Sequence, residues 1–559
     1  MKISGAQDKR KWLFQTIALC IPFLFLLLIE GALRLAGFGG QTPLFIPNPQ
    51  HPDYKLARPS VISRYFPDKY APNVSLEPTF FLAEKPENGL RVVVQGGSTA
   101  AGFPYGLGAS LAGMLDQRLR QSYPDRHVEV INVAMSAVNS YFLLDTADEI
   151  IAEKPDAIVI YAGHNEFLGI FGVGSSFSTF QQPLLMRAFL SFRELAIFDA
   201  LQTLITGFQA APTTSDSQSR TLMSKVARRK SIPFDSAMYQ AGLEQFSHNI
   251  NALLAKYDKA GIPVFISTIA SNLSGQAPFS SVVDPHSDGI ANLEMPALLE
   301  LTKRNSESAD FHFALGGALL EKNKFRSAKH HLSLAKDLDQ LRFRAPEDIN
   351  TIIKQTAIAH GSILVDGKQA LEARSPNGII GDSLMLEHLH PNLPGYFILA
   401  DAFYQALIKR EFGSQVIPVK TADAWQRRPI TPAEEYYGFA HVQALKADYP
   451  FTIRPAPLRL PAPADWQQAL GKAYFENKMD WVAMMRALRD GYMQRNNAQM
   501  ALKTTLLLAD ALPHDVKLNR DAFSRLRAAN REAEARFYEE RFVSSQKLKN
   551  ATKVASDYR

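Results

Sequence analysis

A serine, a glutamate and a histidine occupy local settings that suit nucleophilic catalysis. Ser98 follows the run Val-Val-Val-Gln-Gly-Gly, where a buried strand has to turn sharply into a helix. Glu387 precedes His390 by three residues in the run Glu-His-Leu-His-Pro, which reads as a tight turn. A serine hydroxyl needs a base, and the base needs an orienting acid. The spacing would let the carboxylate reach Nδ1 of the imidazole while Nε2 faces the nucleophile.

Two further segments could stabilise the negative charge that develops on an attacked carbonyl oxygen. Asn165, in the run Gly-His-Asn-Glu, follows a predicted strand and could aim its amide N–H at an oxyanion near Ser98. Residues 132–140 follow another predicted strand and could present a backbone N–H at the same sheet edge. The chain therefore offers candidate donors for an oxyanion hole.

Simpler structural interpretations compete with these roles. Ser98 could cap the N-terminus of the following helix, and Asn165 could form an Asx-turn. His388 and His390 could bind a metal ion, but no third-ligand pattern such as H-E-x-x-H accompanies them. Position 100 is alanine, so the serine segment does not fit the G-x-S-x-G elbow. The serine chemistry itself requires no metal and no cofactor, and we expect neither.

Short apolar strands alternate with helices from residue 90 onward. The predicted strands are 91–95, 127–133, 156–161, 262–268 and 363–366. The predicted helices lie around 111–121, 141–153, 239–259 and 397–407. This alternation indicates an α/β fold of three αβα layers, with a parallel sheet covered on both faces. Ligands of such sheets bind at the carboxyl ends of the strands, where Ser98 and Asn165 are expected.

An apolar segment near the N-terminus predicts a transmembrane helix. Residues 12–29 contain no charged side chain, follow Lys9, Arg10 and Lys11, and end at Glu30. Their number is close to what a helix needs to cross about 30 Å of hydrocarbon, and the basic residues favour a cytoplasmic N-terminus. A cleavable signal peptide is the alternative, but its apolar region is usually shorter and ends in small residues. We expect an uncleaved anchor and export of the downstream chain.

Changes in composition predict the domain boundaries. Residues 1–38 are expected to form the cytoplasmic tip and anchor, and the Pro-rich residues 39–88 an irregular, partly extended linker. Residues 89–412 hold the alternating strands and helices, with a helical insertion at about 300–345. Residues 413–559 are expected to form a C-terminal linker and a helical region.

Two stretches have the character of tetratricopeptide repeats. Residues 311–339 and 466–511 each read as amphipathic helices joined by short polar turns, with small residues where helices would pack closely. The match is degenerate, and too few repeats are present for a free-standing solenoid. A protein partner could bind to these helices.

Charge and cysteine content exclude several classes of partner and site. The net charge is +6 over 559 residues and the isoelectric point is near 9.0. This excess of positive charge is small for the length of the chain, so we expect no nucleic-acid partner. Cys20, in the apolar segment, is the single cysteine. Because there is only one, intramolecular disulfides and cysteine-based metal sites are excluded.

The chain resembles the SGNH (GDSL-type) hydrolase superfamily, whose blocks centre on Ser, Gly, Asn and His. The resemblance lies in the order of four segments: the one with Ser98, residues 132–140, the one with Asn165 and the one with His390. The resemblance covers roughly residues 90–170 and 260–410. It implies a flavodoxin-like, five-stranded parallel sheet and serine-based cleavage of esters. The site residues that it implies are the nucleophile Ser98, the base His390, the acid Glu387 and the oxyanion donors Ser98, Ala137 and Asn165.

Three positions depart from the family pattern. Gly97 stands where the G-D-S block has Asp, Glu387 replaces the Asp of D-x-x-H, and Ala137 or a neighbour occupies the Gly block. A backbone N–H survives replacement of Gly by Ala, so the donor is retained unless the turn requires a positive φ. With a different register of the last turn, Asp382 and His388 would substitute for the acid and the base.

The resemblance implies an exported, membrane-anchored serine esterase, acyl hydrolase or O-acyltransferase that acts on carbohydrate or lipid esters. We expect a single-pass membrane protein with its catalytic domain on the periplasmic side. The alternative function is a catalytically inactive envelope scaffold that binds a protein through its helical repeats. The departures at Gly97, Ala137 and Glu387 favour the scaffold, whereas the joint presence of Ser, Asn, Glu and His favours the enzyme.

Overall fold

The computed structural model of the protein describes residues 4–39, 42–66, 71–176, 183–193, 195–208, 221–227, 231–282, 290 and 293–557. Its first element is the apolar helix α1 (Ser4–Leu35), which continues past Glu30. Within it, Phe14–Leu35 is long and apolar enough to cross a membrane, and none of its most apolar window is buried against the rest of the protein. The predicted apolar helix is therefore present, and a signal sequence would meet the same criteria.

The Pro-rich segment after α1 differs from the predicted irregular linker. It contains the antiparallel strands β1 (Phe45–Asn48), β2 (His51–Ala57) and β3 (Phe80–Leu82), in the order β1-β2-β3. Leu44, Tyr65 and Phe81 belong to the main hydrophobic core. Pro47 lies in the edge strand β1, whose outer side has no partner strand in the described part of the chain, and Pro52 lies in β2 before the residues that pair with β3, so neither proline prevents the pairing.

Five parallel strands form the central sheet. They are β4 (Gly89–Gly96), β5 (His127–Asn132), β6 (Ala157–Tyr161), β7 (Val264–Ser267) and β8 (Ile363–Val365). Their order is β5-β4-β6-β7-β8, which is the flavodoxin-like order 2-1-3-4-5. The apolar runs of β4 and β6 are buried throughout, as expected for a sheet covered on both faces. The predicted fold class is confirmed.

In the described parts of the connections between β4 and β7 lie eight α-helices. They are α2 (Ser98–Ala101), α3 (Leu111–Ser122), α4 (Ser140–Asp145), α5 (Ala147–Ala152), α6 (Pro183–Phe192), α7 (Ala196–Phe208), α8 (Leu222–Ala227) and α9 (Ala237–Lys259). The single helix predicted at 141–153 is divided into α4 and α5 at Thr146, whose hydroxyl donates to Phe142 O at 2.9 Å and competes with the helical hydrogen bonds. Helices α6, α7 and α8 were not predicted.

The remaining helices include the predicted helical additions. Between β7 and β8 lie α10 (Met295–Arg304), α11 (Ala309–Glu321), α12 (Phe325–Leu338) and α13 (Glu347–Ala359). Helices α14 (Gly367–Glu372) and α15 (Leu393–Ile408) follow β8. The C-terminal helices are α16 (Thr421–Gln426), α17 (Pro432–Lys446), α18 (Trp466–Phe475), α19 (Trp481–Gln494), α20 (Ala498–Ala511), α21 (Val516–Ala528) and α22 (Glu532–Asp557).

The C-terminal helices have a hydrophobic core of their own, built from α17 and α19 to α22. This core lies against the α/β part of the protein through α3. Arg120 forms an ion pair with Asp510 at 2.7 Å, and Gln117 donates to the same carboxylate at 3.0 Å. The paired helices α11 and α12 pack on each other within the insertion expected at about 300–345.

Candidate active site

Ser98 lies at the carboxyl end of β4, at the first position of α2. The residue that caps this helix is Gly97, and no side chain caps it, so the interpretation of Ser98 as a helix cap is wrong. The Ser98 hydroxyl instead hydrogen-bonds to Nε2 of His390 at 2.7 Å. Ser98 remains half-buried, so a substrate carbonyl could reach its Oγ.

His390 lies in the turn that precedes α15 and is buried. Its Nδ1 contacts the carboxylate of Glu387, whose Oε1 also accepts the backbone N–H of His390 at 2.9 Å. Burial lowers the pKa of the His390 imidazole to about 3, so the ring is neutral near pH 7. A neutral ring with Nδ1–H on a carboxylate leaves the Nε2 lone pair free to accept the serine proton.

His388 contacts the other oxygen of the same carboxylate. Its Nδ1 hydrogen-bonds to Oε2 of Glu387, while its ring packs among Phe279, Phe343 and Phe451 with centroid separations of 5.5, 5.9 and 5.5 Å. Burial in this aromatic cage holds the pKa of His388 well below its usual value. His388 therefore contacts the candidate acid Glu387, whereas the imidazole that contacts Ser98 is that of His390.

The alternative acid has a different partner. Asp382 accepts a hydrogen bond from the side-chain amide of Asn272 at 2.7 Å. The metal interpretation has a geometric counterpart, because donor atoms of Glu387, His388 and His390 all lie within 4.8 Å of one another. Each of the two histidines has its Nδ1 in contact with one oxygen of the Glu387 carboxylate. This arrangement fits a carboxylate held by two N–H donors.

Asn165 lies in the short turn His164–Glu166 that follows β6. Its Nδ2 donates to Val138 O at 3.0 Å, which uses one of its two N–H groups and ties this turn to the segment after β5. The same nitrogen lies against Gly97, where an added Cβ would be only 2.9 Å from it. The second N–H is thus beside the backbone of the serine turn, in a position suited to an oxyanion donor.

Ala137 has a left-handed backbone with φ of 63°, a conformation that usually favours glycine. The turn does require a positive φ, yet alanine occupies it. Neighbouring hydrogen bonds hold it there, because Ala137 O accepts Ile170 N at 2.7 Å and Val138 pairs with Ile170 in a β-bridge. The turn at Ala137 thus keeps the left-handed conformation that glycine would adopt, and the backbone N–H of Ala137 is retained in it.

A buried carboxyl that was not predicted supports the same loops. Glu166 accepts hydrogen bonds from the backbone N–H of Ser140 at 3.1 Å and from its hydroxyl at 2.8 Å. Gln245 of α9 also donates to this carboxyl. Burial raises the pKa of Glu166 to about 7. The residue was visible in the Gly-His-Asn-Glu run, but only the fold shows that it joins the Asn165 turn to α4.

Phe103 was also missed, and its ring lies 4.6 Å from that of His390. The backbone carbonyl of Phe103 accepts the hydroxyl of the buried Tyr396 at 2.5 Å, which fixes the loop after α2 to α15. Phe103 is itself half-buried, and its backbone N–H donates to Ser98 O at 3.0 Å, so it lies beside the pair of Ser98 and His390. A single phenylalanine in a loop carries no sequence signal for such a position.

No protein-family model matches the sequence, and none of the curated proteins matches it significantly. Solved structures similar to the chain include the acetylxylan esterase Axe2 from Geobacillus stearothermophilus, at 14% identity and a TM-score of 0.27, covering 59% of this chain and 97% of that one. A lipase/acylhydrolase from Enterococcus faecalis matches at 13% identity and a TM-score of 0.28, covering 59% and 99%.

A GDSL-like lipase from Bacteroides thetaiotaomicron matches at 13% identity and a TM-score of 0.29, covering 59% of this chain and 93% of that one. These identities and TM-scores are too low to transfer a function, so the roles of Ser98 and His390 depend on their own geometry. The resemblance of the chain to the SGNH (GDSL-type) hydrolases lies in the order of its site segments and in the flavodoxin-like order of the strands that carry them.

Proposed function

We propose that the protein is a membrane-anchored serine esterase of SGNH type. The observation that carries the proposal is the hydrogen bond of 2.7 Å between Ser98 Oγ and His390 Nε2, with the Nδ1 atom of the same imidazole on Glu387. This is the arrangement that an acyl-transferring serine requires: a nucleophile, a neutral base and a carboxylate that orients the base.

The reaction follows from these contacts. Ser98 Oγ attacks the ester carbonyl while His390 Nε2 takes the hydroxyl proton, and the carboxylate of Glu387 stabilises the resulting imidazolium. The backbone N–H groups of Ser98 and Ala137 and the free N–H of Asn165 stabilise the oxyanion. His390 then gives its proton to the leaving alcohol, and an acyl group remains on Ser98.

The second half of the reaction decides between two activities. If His390 activates water, the acyl group is hydrolysed and the protein is an esterase. If it activates a hydroxyl of a sugar or another alcohol, the protein is an O-acyltransferase with the same residues. The anchor and an exported orientation would place carbohydrate or lipid esters of the cell envelope within reach, with the N-terminus in the cytoplasm.

Turnover of a small activated ester by the full chain in mild detergent tests this proposal. The wild type should release p-nitrophenol from p-nitrophenyl acetate, and Ser98→Ala and His390→Ala should each reduce the rate to the level of the buffer. A chelator should leave the wild-type rate unchanged, because no step uses a metal. A well-folded wild type without turnover would favour the scaffold function of the helical repeats.

A further inference from the structure

Helices α6 and α7 carry apolar side chains on surface that no other described element covers. Phe192, Leu201 and Leu204 are 58%, 52% and 57% exposed, and Leu185 and Leu195 are also exposed. Isolated exposed leucines are ordinary, but several on two consecutive helices form a patch that water solvates poorly. Such a patch indicates that something apolar covers it.

The N-terminus of α7 is attached to the end of the apolar helix α1. The carboxylate of Glu30 accepts the backbone N–H of Ala196 at 2.9 Å and of Ile197 at 3.0 Å. Farther along, Gly39 N donates to Asp199 at 2.9 Å. Glu30 therefore supplies the partners that the first N–H groups of a helix lack. Helix α7 therefore begins beside Glu30, within the last turns of the span Phe14–Leu35.

Helix α6 is fixed to the catalytic part of the protein. Arg193, directly after α6, forms an ion pair with Asp145 of α4 at 2.6 Å, and its guanidinium lies 4.9 Å from the centre of the Tyr65 ring. Asp145 also pairs with Arg64 at 3.0 Å. The two helices belong to the connection that follows β6, so they leave the sheet by the same edge as Ser98.

We propose that α6 and α7 lie in the headgroup region of the bilayer that α1 crosses, with Phe192, Leu201 and Leu204 in contact with lipid. The proposal rests on the membrane anchor of the proposed function. Lipid is the occupant that fits best, because α7 packs against α1 and begins beside Glu30 near the end of the span. An amphipathic helix attached at the level where a span ends needs no further partner to bury its apolar side. The catalytic edge of the sheet would then be held close to the membrane.

Single nitroxide labels on the full chain in lipid vesicles test the proposal. In a Cys20→Ser background, a label is attached at Leu201→Cys or Leu204→Cys. Leu24→Cys in α1 is the lipid control, and Ile453→Cys, which is 93% exposed and distant in sequence, is the water control. The measurement is the ratio of collisions with apolar oxygen to collisions with a water-soluble nickel chelate. None of these residues belongs to the catalytic site, so retained ester turnover verifies folding.

The labels on α7 should give a ratio several-fold higher than that of Ile453→Cys and lower than that of Leu24→Cys, because Leu24 lies near the middle of the span and apolar oxygen is enriched there. A ratio like that of Ile453→Cys would overturn the proposal while leaving the anchor intact. Low collision rates with both reagents and spin–spin broadening would overturn it in favour of contact between two copies of the chain. A water-like ratio at Leu24→Cys would refute both the anchor and the interfacial helices, without bearing on ester turnover.

Discussion

His388 donates its Nδ1–H to the carboxylate oxygen of Glu387 that His390 does not use. The carboxylate is thereby held at both oxygens inside the protein. Glu is one methylene longer than the Asp of the D-x-x-H pattern and has one more torsion to restrain. The second imidazole restricts that freedom, which would allow a glutamate to serve as the acid in the proposed reaction. His388 is in this account a positioning residue.

Replacement of His388 by phenylalanine should lower kcat by roughly 10-fold to 100-fold with little change in KM. The ring fits among Phe279, Phe343 and Phe451, but one oxygen of the buried carboxylate loses its donor, at a cost of about 1–3 kcal/mol. The less neutralised carboxylate should also stabilise the His390 imidazolium. The acid limb of the profile of kcat/KM against pH should therefore move to higher pH.

His388→Gln supplies an N–H donor and should restore part of the rate and of the pH profile. If phenylalanine and glutamine reduced kcat equally and neither moved the acid limb, His388 would have only a packing role.

Gly97→Ala should reduce kcat, because the new Cβ would lie 2.9 Å from Asn165 Nδ2 and push the amide away from the serine turn. Asn165→Ala removes that donor altogether and should cost about 10²–10³ in kcat, with KM nearly unchanged. In the Asn165→Ala background, Gly97→Ala should have little further effect, since the group it displaces is gone. Steady-state kinetics of both single variants and the double variant measure this coupling.

Gly317→Ala is the matched control, because its added Cβ meets nothing within 4 Å in α11. Additive losses in the Gly97→Ala, Asn165→Ala double variant would show that Gly97 acts by another route than the Asn165 amide.

The buried His164 should make the protein less stable in acid. Its Nδ1 accepts a hydrogen bond from the backbone N–H of Ala345 at 3.3 Å, and its Nε2 donates one to Ala270 O at 3.1 Å. Protonation of Nδ1 would break the hydrogen bond with Ala345. Burial, together with repulsion from His390 when that ring is also protonated and from Lys336, lowers the pKa of His164 to about 3. Below about pH 6.5 the unfolded chain binds a proton that the native state does not bind. The free energy of unfolding should therefore fall between about pH 6.5 and pH 3, by up to about 1.4 kcal/mol per pH unit from this residue.

His164→Gln can keep both hydrogen bonds without titrating. Urea titrations of the full chain in detergent at several pH values should show a shallower loss of stability for this variant than for the wild type. Parallel curves for the two proteins would contradict the assignment of a neutral, depressed His164.

The sheet and the contacts among Ser98, His390 and Glu387 could be predicted because local sequence patterns indicate both. The apolar runs of β4 and β6 and the polar residues directly after them mark the strand ends, and a parallel topology brings those ends together. The spacing of Glu387 and His390 in a Pro-terminated turn likewise predicts their contact. The structure brings Ser98, His390 and Glu387 together as expected, with Asn165 beside Gly97.

Features that depend on contacts between distant segments could not be predicted. Adjacent side chains such as those of Glu387 and His388 usually diverge, and only the geometry of this turn brings both histidines onto one carboxylate. The strands within 39–88 have no clear alternation and many prolines. Helices α6 and α7 were missed because their apolar side chains lie both in the main core, as Met186 does, and on the exposed surface, as Leu201 does, so their pattern does not mark a helix with one core-facing side.

The covalent reactivity of Ser98 tests the central claim most directly. The full chain in detergent should react with a fluorophosphonate probe, and mass spectrometry of the digested protein should locate the phosphonyl group on Ser98 Oγ. His390→Ala should slow the labelling strongly, and Ser98→Ala should abolish it. A folded wild type that stays unlabelled, or an adduct that persists in Ser98→Ala, would contradict the assignment of Ser98 as an activated nucleophile.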